Sequence, residues 1–187
     1  MSKRPTIIEK TVIAQSRLFK IEELHLRFSN GAERRFERVC GRRHSAVMIV
    51  PVLEDRETIL LIREYSTGLN DYVLSFPKGS IEKGEEILAT ANRELKEEIG
   101  YGSRNMSILS CFSTAPGYLD SKMHIILATD LYPEDIHGDE PEPLETIPWK
   151  LSRKDELLHH PEFHEARSVA ALFLLEYYQN VTTENVA

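Results

Sequence analysis

The feature that most constrains the fold of this 187-residue chain is an amphipathic helix predicted over residues 85–99. Its apolar side chains recur at positions i, i+3, i+7 and i+11, which line one face of a helix: Leu88, Ala91, Leu95 and Ile99. Gly100 follows where glycine commonly ends a helix, because glycine adopts the left-handed conformation at little cost. We therefore expect the helix to lie with its apolar face on the core of a domain.

Three glutamates occupy the polar side of the same helix. Glu94, Glu97 and Glu98 are spaced i, i+3 and i+4, so they project from one side within a single turn. Like charges this close repel each other, whereas a hard divalent cation prefers a set of oxygen ligands. The three residues alone leave two interpretations open, a metal-binding face and a solvated acidic surface, and acidic surfaces are common on proteins.

The surrounding sequence favours the first interpretation. Gly79 is followed by five residues, Glu85, seven more residues and then the run Arg-Glu-Leu-Lys-Glu-Glu-Ile-Gly over residues 93–100. This spacing matches the pattern Gly-x5-Glu-x7-Arg-Glu-U-x-Glu-Glu-x-Gly-U, where U is aliphatic, and the chain therefore resembles the Nudix hydrolases. One position departs from the pattern, because Tyr101 replaces the last aliphatic residue, but tyrosine is also suited to the start of a strand.

The resemblance implies a role for each residue of this Nudix box. It implies a site for Mg²⁺, with Mn²⁺ or Zn²⁺ as alternatives, made of these ligands: Glu94, Glu97, Glu98 and the backbone carbonyl of Lys78. Glu98 and Glu94 are also implied as catalytic residues. The rest of the box is implied to be structural: Gly79, Glu85, Arg93 and Gly100. The implied reaction is attack of an activated water on one phosphorus of a diphosphate, without a covalent intermediate.

Other segments resemble one part of the family, the ADP-ribose pyrophosphatases and the bacterial ADP-compound hydrolases. The similar segments are spread over most of the chain: SFPKG, ATANRELKEE, APGYLDSKM, DLYPE, GDEPEPL and EARSVAALFL. The resemblance implies that ADP-ribose, NADH and diadenosine di- or triphosphate are hydrolysed to release AMP. It also implies a homodimer and these substrate-binding residues: Arg38, Arg42, Arg43, Arg63, Pro116, Gly117 and Lys122. For any single arginine, an ordinary surface position is the alternative.

A late acidic segment contains two further candidate catalytic residues, Glu140 and Glu142. In related pyrophosphatases a glutamate on this late loop orients or deprotonates the attacking water. The prolines at positions 141 and 143 restrict the loop, which favours a positioned carboxylate. The sequence does not rank the two glutamates, and a solvated acidic loop is the alternative for each of them alone.

The order of predicted strands and helices indicates an α/β or α+β fold, with mixed β-sheets sandwiched between helices as the Nudix resemblance implies. Residues 1–45 are expected to form a small N-terminal β-strand region, for which the resemblance implies dimerisation and substrate contacts. Residues 46–187 are expected to form the Nudix hydrolase domain. Asn30 and Gly31 predict a hairpin turn in the first region, and the polar residues 40–45 predict a connector between the two regions.

The second half of the chain contains fewer strong signals. We expect a proline- and acid-rich loop over residues 133–148 and a short helix over residues 154–159. A last helix is predicted over residues 165–178, and a polar, frayed tail after Gln179.

The composition argues against several classes of function. The chain has 23 Lys and Arg against 30 Asp and Glu, a net charge of −7, whereas proteins that grip a nucleic-acid backbone usually have a basic surplus. Its apolar runs are too short for a bilayer, and its 2 cysteines suggest no disulfide framework. We expect a cytoplasmic protein without nucleic-acid or membrane partners. Two alternatives stay open: a pyrophosphatase for GDP-sugars or other nucleoside-diphosphate sugars, and a non-catalytic Nudix-fold binding module.

Overall fold

The computed structural model describes residues 3–138 and 141–184, with all of their side chains except those of residues 41–44 and 182–184. In chain order its elements are β1 (Thr6–Gln15), β2 (Phe19–Arg27), β3 (Glu33–Pro51), β4 (Thr58–Ser66), β5 (Asp71–Ser75), β6 (Lys78–Ser80), α1 (Ile87–Ile99), β7 (Tyr101–Ser113), β8 (Leu119–Pro133), β9 (Glu145–Lys150), a 3-10 turn (Leu151–Arg153), α2 (Lys154–Leu158) and α3 (Ala166–Glu184).

By internal contacts the described residues divide into two units. Unit 1 contains the residues up to 45 together with residues 113–122. Unit 2 contains residues 46–112 and the residues from 123 onwards. The dimerisation and substrate contacts expected of residues 1–45 stay a prediction.

Unit 1 is built on an antiparallel sheet in which β2 pairs with both β1 and β3. The β2–β3 hairpin closes with Arg27 opposite Glu33, and the Phe28 N–H donates to the carbonyl of Ala32 at 2.9 Å. Gly31 has a φ of +83°, which a glycine adopts without strain. The hairpin predicted from Asn30 and Gly31 is therefore confirmed.

The connector predicted over residues 40–45 is wrong, because β3 runs unbroken from Glu33 to Pro51. Its polar middle is held extended by β2, where Phe19 pairs with Gly41 and Lys20 with Cys40. Polar residues and glycine indicate a loop only where no neighbouring strand supplies hydrogen bonds. Here β2 supplies them, and it lies some twenty residues earlier in the chain.

Unit 2 contains strands of two sheets, and β3 and β4 each have a run of buried residues on both faces. The hydrogen-bonding order is β3, β8, β7 in one sheet, with β6 also paired to β3, and β5, β4, β9 in the other. Successive residues of β3 enter two different cores: Met48 and Val50 join the core that contains α3 residues, and Val47 and Ile49 join the core that contains α1 residues. Side chains alternate along a strand, so a strand between two cores is apolar at every position. The predicted mixed sheets between helices are confirmed.

Helix α1 begins two residues later than predicted and ends where expected. Ala91 and Leu95 are fully buried, and Gly100 ends the helix with a φ of +71° while its N–H donates to the Lys96 carbonyl at 3.2 Å. Leu88 was predicted on the apolar face, but it is 39% exposed. It lies in the first turn of the helix, where Ile87 packs against the core and Thr90 is fully buried instead.

The loop predicted over residues 133–148 is too long, because β9 already begins at Glu145. Pro148 lies within β9 and pairs with Leu60 of β4. A proline has no N–H to donate, but β9 is an edge strand and needs donors on one side only. A proline usually favours a loop, but at this edge position it is compatible with a strand.

Helix α3 extends from Ala166 to Glu184, so the polar tail predicted after Gln179 is wrong over its described part. Glu165 precedes the helix and its carboxylate accepts hydrogen bonds from the N–H groups of Arg167 and Ser168, at 3.1 and 2.8 Å. These bonds satisfy N–H groups that the first turn leaves free. No helix in the described part of the chain is long and apolar enough to cross a membrane.

Candidate functional site

In the Nudix box, the short strand β6 contains Gly79 and lies against the acidic helix α1. Gly79 lies in β6, which pairs with β3 through Val47. A Cβ atom at Gly79 would lie 1.9–2.2 Å from the three carboxyl atoms of Glu94. The carboxylate of Glu94 therefore occupies the space that any other residue at position 79 would fill, and this close approach explains why the loop needs a glycine.

Glu94 and Glu98 are buried one turn apart on α1. Glu94 is 9% exposed and Glu98 is 7% exposed. Burial raises the pKa of Glu94, and burial raises the pKa of Glu98 to about 8, because a charged carboxylate loses its hydration there. The nearby Lys78 opposes the shift of Glu98, and its N–H donates to Oε2 of Glu98 at 2.8 Å. Both carboxylates thus lie in surroundings that would stabilise a further positive charge.

Arg93 connects the acidic residues of the box to one another. Its Nε donates to Glu85 at 2.9 Å and its Nη1 donates to Glu97 at 2.8 Å. Its Nη2 forms an ion pair with Glu94, also at 2.8 Å. Hydrogen bonds from Arg93 lower the pKa of Glu85 to about 2, and Glu85 in turn raises the pKa of Arg93. This arginine joins the loop before α1 to the helix and fixes where two carboxylates of the helix point.

The predicted metal ligands come together only in part. Among residues 3–138 and 141–184, no three Asp, Glu, His or Cys side chains converge as the ligands of one ion would. Glu94 and Glu97 instead turn toward Arg93, and Glu98 turns toward the backbone of Lys78. All of these donors are oxygen atoms, the type that Mg²⁺ and other hard cations bind.

The side chain of Lys78 belongs to a polar group that the sequence did not indicate. Its Nζ pairs with the carboxylate of Glu64 and donates to Oγ of Ser75 at 3.2 Å. Glu64 lies on β4 and Ser75 on β5, so strand pairing brings them beside the box. No pattern in the sequence of β4 indicates this group, because the neighbours of Glu64 on its strand face include Leu60 and Ile62.

The late loop is the segment between β8 and β9. Its described residues line a cavity of about 510 Å³ together with the box residue Glu97. A Cβ at Gly138 would lie 3.3 Å from the Cβ of Glu97, so the loop passes close to α1. Glu142 also lines this cavity, and the Tyr72 hydroxyl donates to its Oε1 at 2.7 Å. Glu140, the other predicted catalytic residue of this loop, lies outside the described residues.

Arg63, predicted to bind substrate, is engaged within unit 2. Its guanidinium donates to both carboxylate oxygens of Glu162, at 2.9 and 2.8 Å. The same guanidinium lies over the ring of Tyr72, 4.7 Å from its centre. This pairing leaves little of the Arg63 charge free for a second anion.

The other predicted substrate-binding residues belong to unit 1. Pro116, Gly117 and Lys122 are exposed. Arg38 pairs with Asp120 at 3.3 Å and with Glu22 at 3.0 Å. The predicted residues Arg42 and Arg43 lie on β3, and their side chains are outside the described ones.

A buried carboxylate, Glu22, is the centre of a charged cluster in unit 1 that sequence reasoning missed. It is 1% exposed, and these groups contact it: Lys10 at 3.0 Å, Lys20 at 2.8 Å, Arg38 at 3.0 Å and the Cys40 thiol at 3.1 Å. Hydrogen bonds, first from Lys20 and then from Cys40, hold the pKa of Glu22 well below its usual range. The cluster borders a cavity of about 440 Å³. Nothing in the sequence marks Glu22, because isolated glutamates on strands are mostly exposed.

Two family models match segments of this chain. The family model for the NudE-type Nudix hydrolase N-terminal domain matches residues 5–38, and the model for the NUDIX domain matches residues 42–173. The ADP compounds hydrolase NudE of Escherichia coli strain K12 is 49% identical over 172 residues, which cover 92% of this chain and 91% of that protein.

Two further similarities extend over nearly the same length. The ADP-ribose pyrophosphatase of Bacillus subtilis strain 168 is 29% identical over 176 residues, 90% of this chain and 94% of that protein. A crystal structure of an ADP compounds hydrolase superposes with a TM-score of 0.89 at 46% identity and covers 97% of both chains. The sequence resemblance and the fold predicted from it are therefore confirmed.

Proposed function

This chain belongs to the Nudix hydrolase family, and on that premise we propose that it hydrolyses the diphosphate linkage of ADP-containing compounds and releases AMP. The proposed substrates are ADP-ribose, NADH and diadenosine di- or triphosphate. Two relatives whose names specify ADP compounds or ADP-ribose align with at least 90% of the chain, which supports this substrate class.

One observation carries the proposal, namely the burial of Glu94 and Glu98 side by side above Gly79. A buried, ionised carboxylate is costly unless a positive group compensates it. Within the box, Arg93 divides its positive charge among three carboxylates, those of Glu85, Glu94 and Glu97. The arrangement supports a site that a cation from solution completes.

The residues fit a divalent cation, for which Mg²⁺ is the proposed ion and Mn²⁺ or Zn²⁺ the alternatives. Glu94, Glu97 and Glu98 would hold it with the carbonyl of Lys78, because all four donate oxygen atoms. When bound, such an ion neutralises diphosphate oxygens and lowers the pKa of a coordinated water. The chain itself contributes the placement, since Arg93 orients two of these carboxylates and Gly79 leaves room for one of them.

The late loop supplies the candidates for orienting the attacking water, Glu140 and Glu142. Glu142 lines the same cavity as Glu97, so this loop borders the acidic face of α1. A carboxylate on that side would accept a proton from the water while the box holds the diphosphate. We expect one of the two glutamates to carry this role.

A product analysis tests the proposed function. The purified protein with Mg²⁺ is incubated separately with ADP-ribose, NADH, diadenosine triphosphate and GDP-mannose, and the products are identified by mass. We expect AMP from the three adenine substrates, no turnover when the metal is chelated, and little turnover of GDP-mannose. GMP as the main product would instead support a GDP-sugar pyrophosphatase. Binding of ADP-ribose without any product would support a non-catalytic binding module.

The proposed assembly is a homodimer formed through the N-terminal strands. On β1, a set of large apolar side chains is exposed: Ile7, Ile8, Val12 and Ile13. Among the described residues β1 pairs only with β2, so its other edge is a row of backbone groups available to a second chain. Light scattering after gel filtration should give twice the chain mass, and Val12→Lys should shift the mass toward the monomer.

The proposed location is the cytoplasm. Cys40 and Cys111 are both free thiols, Cys40 buried and Cys111 exposed. A reducing compartment keeps thiols in this state. Fractionation of cells that express the tagged protein should recover it in the cytoplasmic fraction.

A further inference from the structure

A tyrosine outside the Nudix box contacts the late loop. The Tyr72 hydroxyl donates a 2.7 Å hydrogen bond to Oε1 of Glu142, which lies three residues before β9 begins. The two residues are seventy positions apart in the chain, so only the fold brings them together. The bond raises the pKa of Tyr72, because the carboxylate disfavours a second negative charge beside it. A phenol and a carboxylate form a charge-assisted hydrogen bond, which is stronger than a neutral one.

Tyr72 is itself held in place by the sheet. It lies opposite Tyr65 in the β4–β5 pair, and the two rings meet edge to face with centroids 5.7 Å apart. Arg63 lies two residues before Tyr65 on the same strand face and covers the ring of Tyr72 at 4.7 Å. Glu162 fixes that arginine through two hydrogen bonds. The hydroxyl of Tyr72 therefore projects from a ring that has little freedom to move.

The beginning of the late loop is tied to α1. The N–H of Glu134 donates to the carbonyl of Gly100 at 3.0 Å, and its carboxylate pairs with Lys96 at 2.8 Å. Further along, Gly138 lies against Glu97 of the box. With Glu142 bound to Tyr72, the described residues of the loop before position 139 and after position 140 each have a fixed contact.

From these contacts we propose that Tyr72 is a positioning residue, which acts through Glu142 to hold the late loop against the acidic face of α1. The proposal rests on the hydrolysis proposed above. It assigns Glu142 the positioning of the loop, and so leaves Glu140 as the candidate for orienting the attacking water. The hydrogen bond occupies one oxygen of Glu142, and a glutamine side chain has an oxygen that can accept the same bond. If Glu142 only positions the loop, the variant Glu142→Gln should keep its activity. If Glu142 accepts a proton from water, the same variant should lose its activity.

Four variants test the proposal by steady-state kinetics with ADP-ribose and Mg²⁺. Tyr72→Phe and Glu142→Ala should each lower kcat about tenfold, with KM changed less than about threefold, because each removes one charge-assisted hydrogen bond. The double variant should be no worse than either single one, since both changes break the same bond. Glu142→Gln should keep at least about half of kcat. Tyr65→Phe is the matched control, because it removes a hydroxyl from the neighbouring ring, and its activity should equal that of the wild type.

Hydrogen exchange gives a readout that does not depend on turnover. In the free protein, Tyr72→Phe should raise exchange in peptides covering residues 134–147 about tenfold, and Tyr65→Phe should leave it unchanged. Unchanged exchange and kcat in Tyr72→Phe would overturn the proposal. A loss of kcat in Glu142→Gln as large as in Glu142→Ala would also overturn it, because Glu142 would then take part in the reaction. Lack of any wild-type turnover would refute the proposed function, and exchange would still decide whether Tyr72 anchors the loop.

Discussion

Two buried glutamates, one in each unit, have opposite surroundings. Glu22 in unit 1 is contacted by Lys10, Lys20, Arg38 and the Cys40 thiol, and these hydrogen bonds lower its pKa. Glu98 in unit 2 accepts one N–H from Lys78, and burial raises its pKa to about 8. Both side chains are nearly inaccessible, so burial alone does not separate them. The difference lies in how much positive charge the protein provides.

This difference separates a carboxylate whose charge the protein compensates with several cations from one whose charge it compensates far less. Removing an ionised carboxylate from water costs several kcal/mol, which paired cations and hydrogen bonds must offset. At Glu22 the protein itself supplies three cations. At Glu98 we propose that a metal ion supplies what is missing. Each of the following predictions tests one side of this comparison.

The largest effect is expected for Glu98→Gln. Turnover with Mg²⁺ should fall on the order of 10³-fold, because a charged oxygen that faces the cation is replaced by a neutral one. Mg²⁺ should raise the melting temperature of the wild type and not that of the variant. Glu156→Gln, on the exposed surface of α2, is the control and should behave as the wild type. Equal Mg²⁺ responses of wild type and Glu98→Gln would remove Glu98 from the metal site.

The second effect concerns Glu22→Gln, which should lower the free energy of unfolding by about 3 kcal/mol at pH 7, since three cations lose their partner. Because the folded-state pKa of Glu22 is depressed, its stabilisation is complete above the unfolded-state pKa of about 4.3 and is lost as pH falls below it. The difference in urea midpoint between wild type and variant should therefore shrink from pH 7 to pH 3. A constant difference across this range would contradict the ion-pair account of Glu22.

Gly79→Ala tests how the box positions Glu94. The added methyl group would overlap the carboxylate of Glu94, which has to rotate away. We expect turnover to fall about 10²-fold, because a displacement of about one ångström at a reacting group has an effect of that size. Gly68→Ala is the matched control, since a Cβ there meets nothing within 4 Å. Normal turnover in Gly79→Ala would show that the placement of Glu94 is not needed.

The smallest effect is expected for Arg93→Lys. A lysine keeps the charge but has a single ammonium group, so it cannot reach Glu85, Glu94 and Glu97 together as the guanidinium does. Turnover should fall about tenfold, and the apparent Kd for Mg²⁺ should rise by a similar factor. Titration of activity with Mg²⁺ measures both. An unchanged Mg²⁺ dependence would mean that Arg93 does not orient the metal ligands.

Much of the candidate site could be predicted because its residues are close in sequence. Helical spacing places Glu94 and Glu98 one turn apart whatever surrounds them, and the structure has both on α1 as predicted. The pairing of Glu85 with Arg93 spans only eight residues. Interactions of this range depend on local geometry, which the spacing of residue types encodes directly.

The rest could not be predicted because it depends on strand pairing. Cys40 and Gly41 continue a strand because β2 pairs with them, and Pro148 is tolerated because β9 lies at an edge. The contact of Tyr72 with Glu142 likewise needs both the β4–β5 sheet and the late loop in place. No local pattern marks any of these partners.

The sequence by itself determined the chemistry of this protein: a set of oxygen donors, their spacing on one helix and the glycine loop before it. The tertiary structure decided which of those carboxylates are desolvated and which cations reach them. Glu22 and Glu98 are the same residue type on regular elements, yet their pKa values are shifted in opposite directions. Burial and distant neighbours cause the shifts, and both arise only when the strands and helices pack.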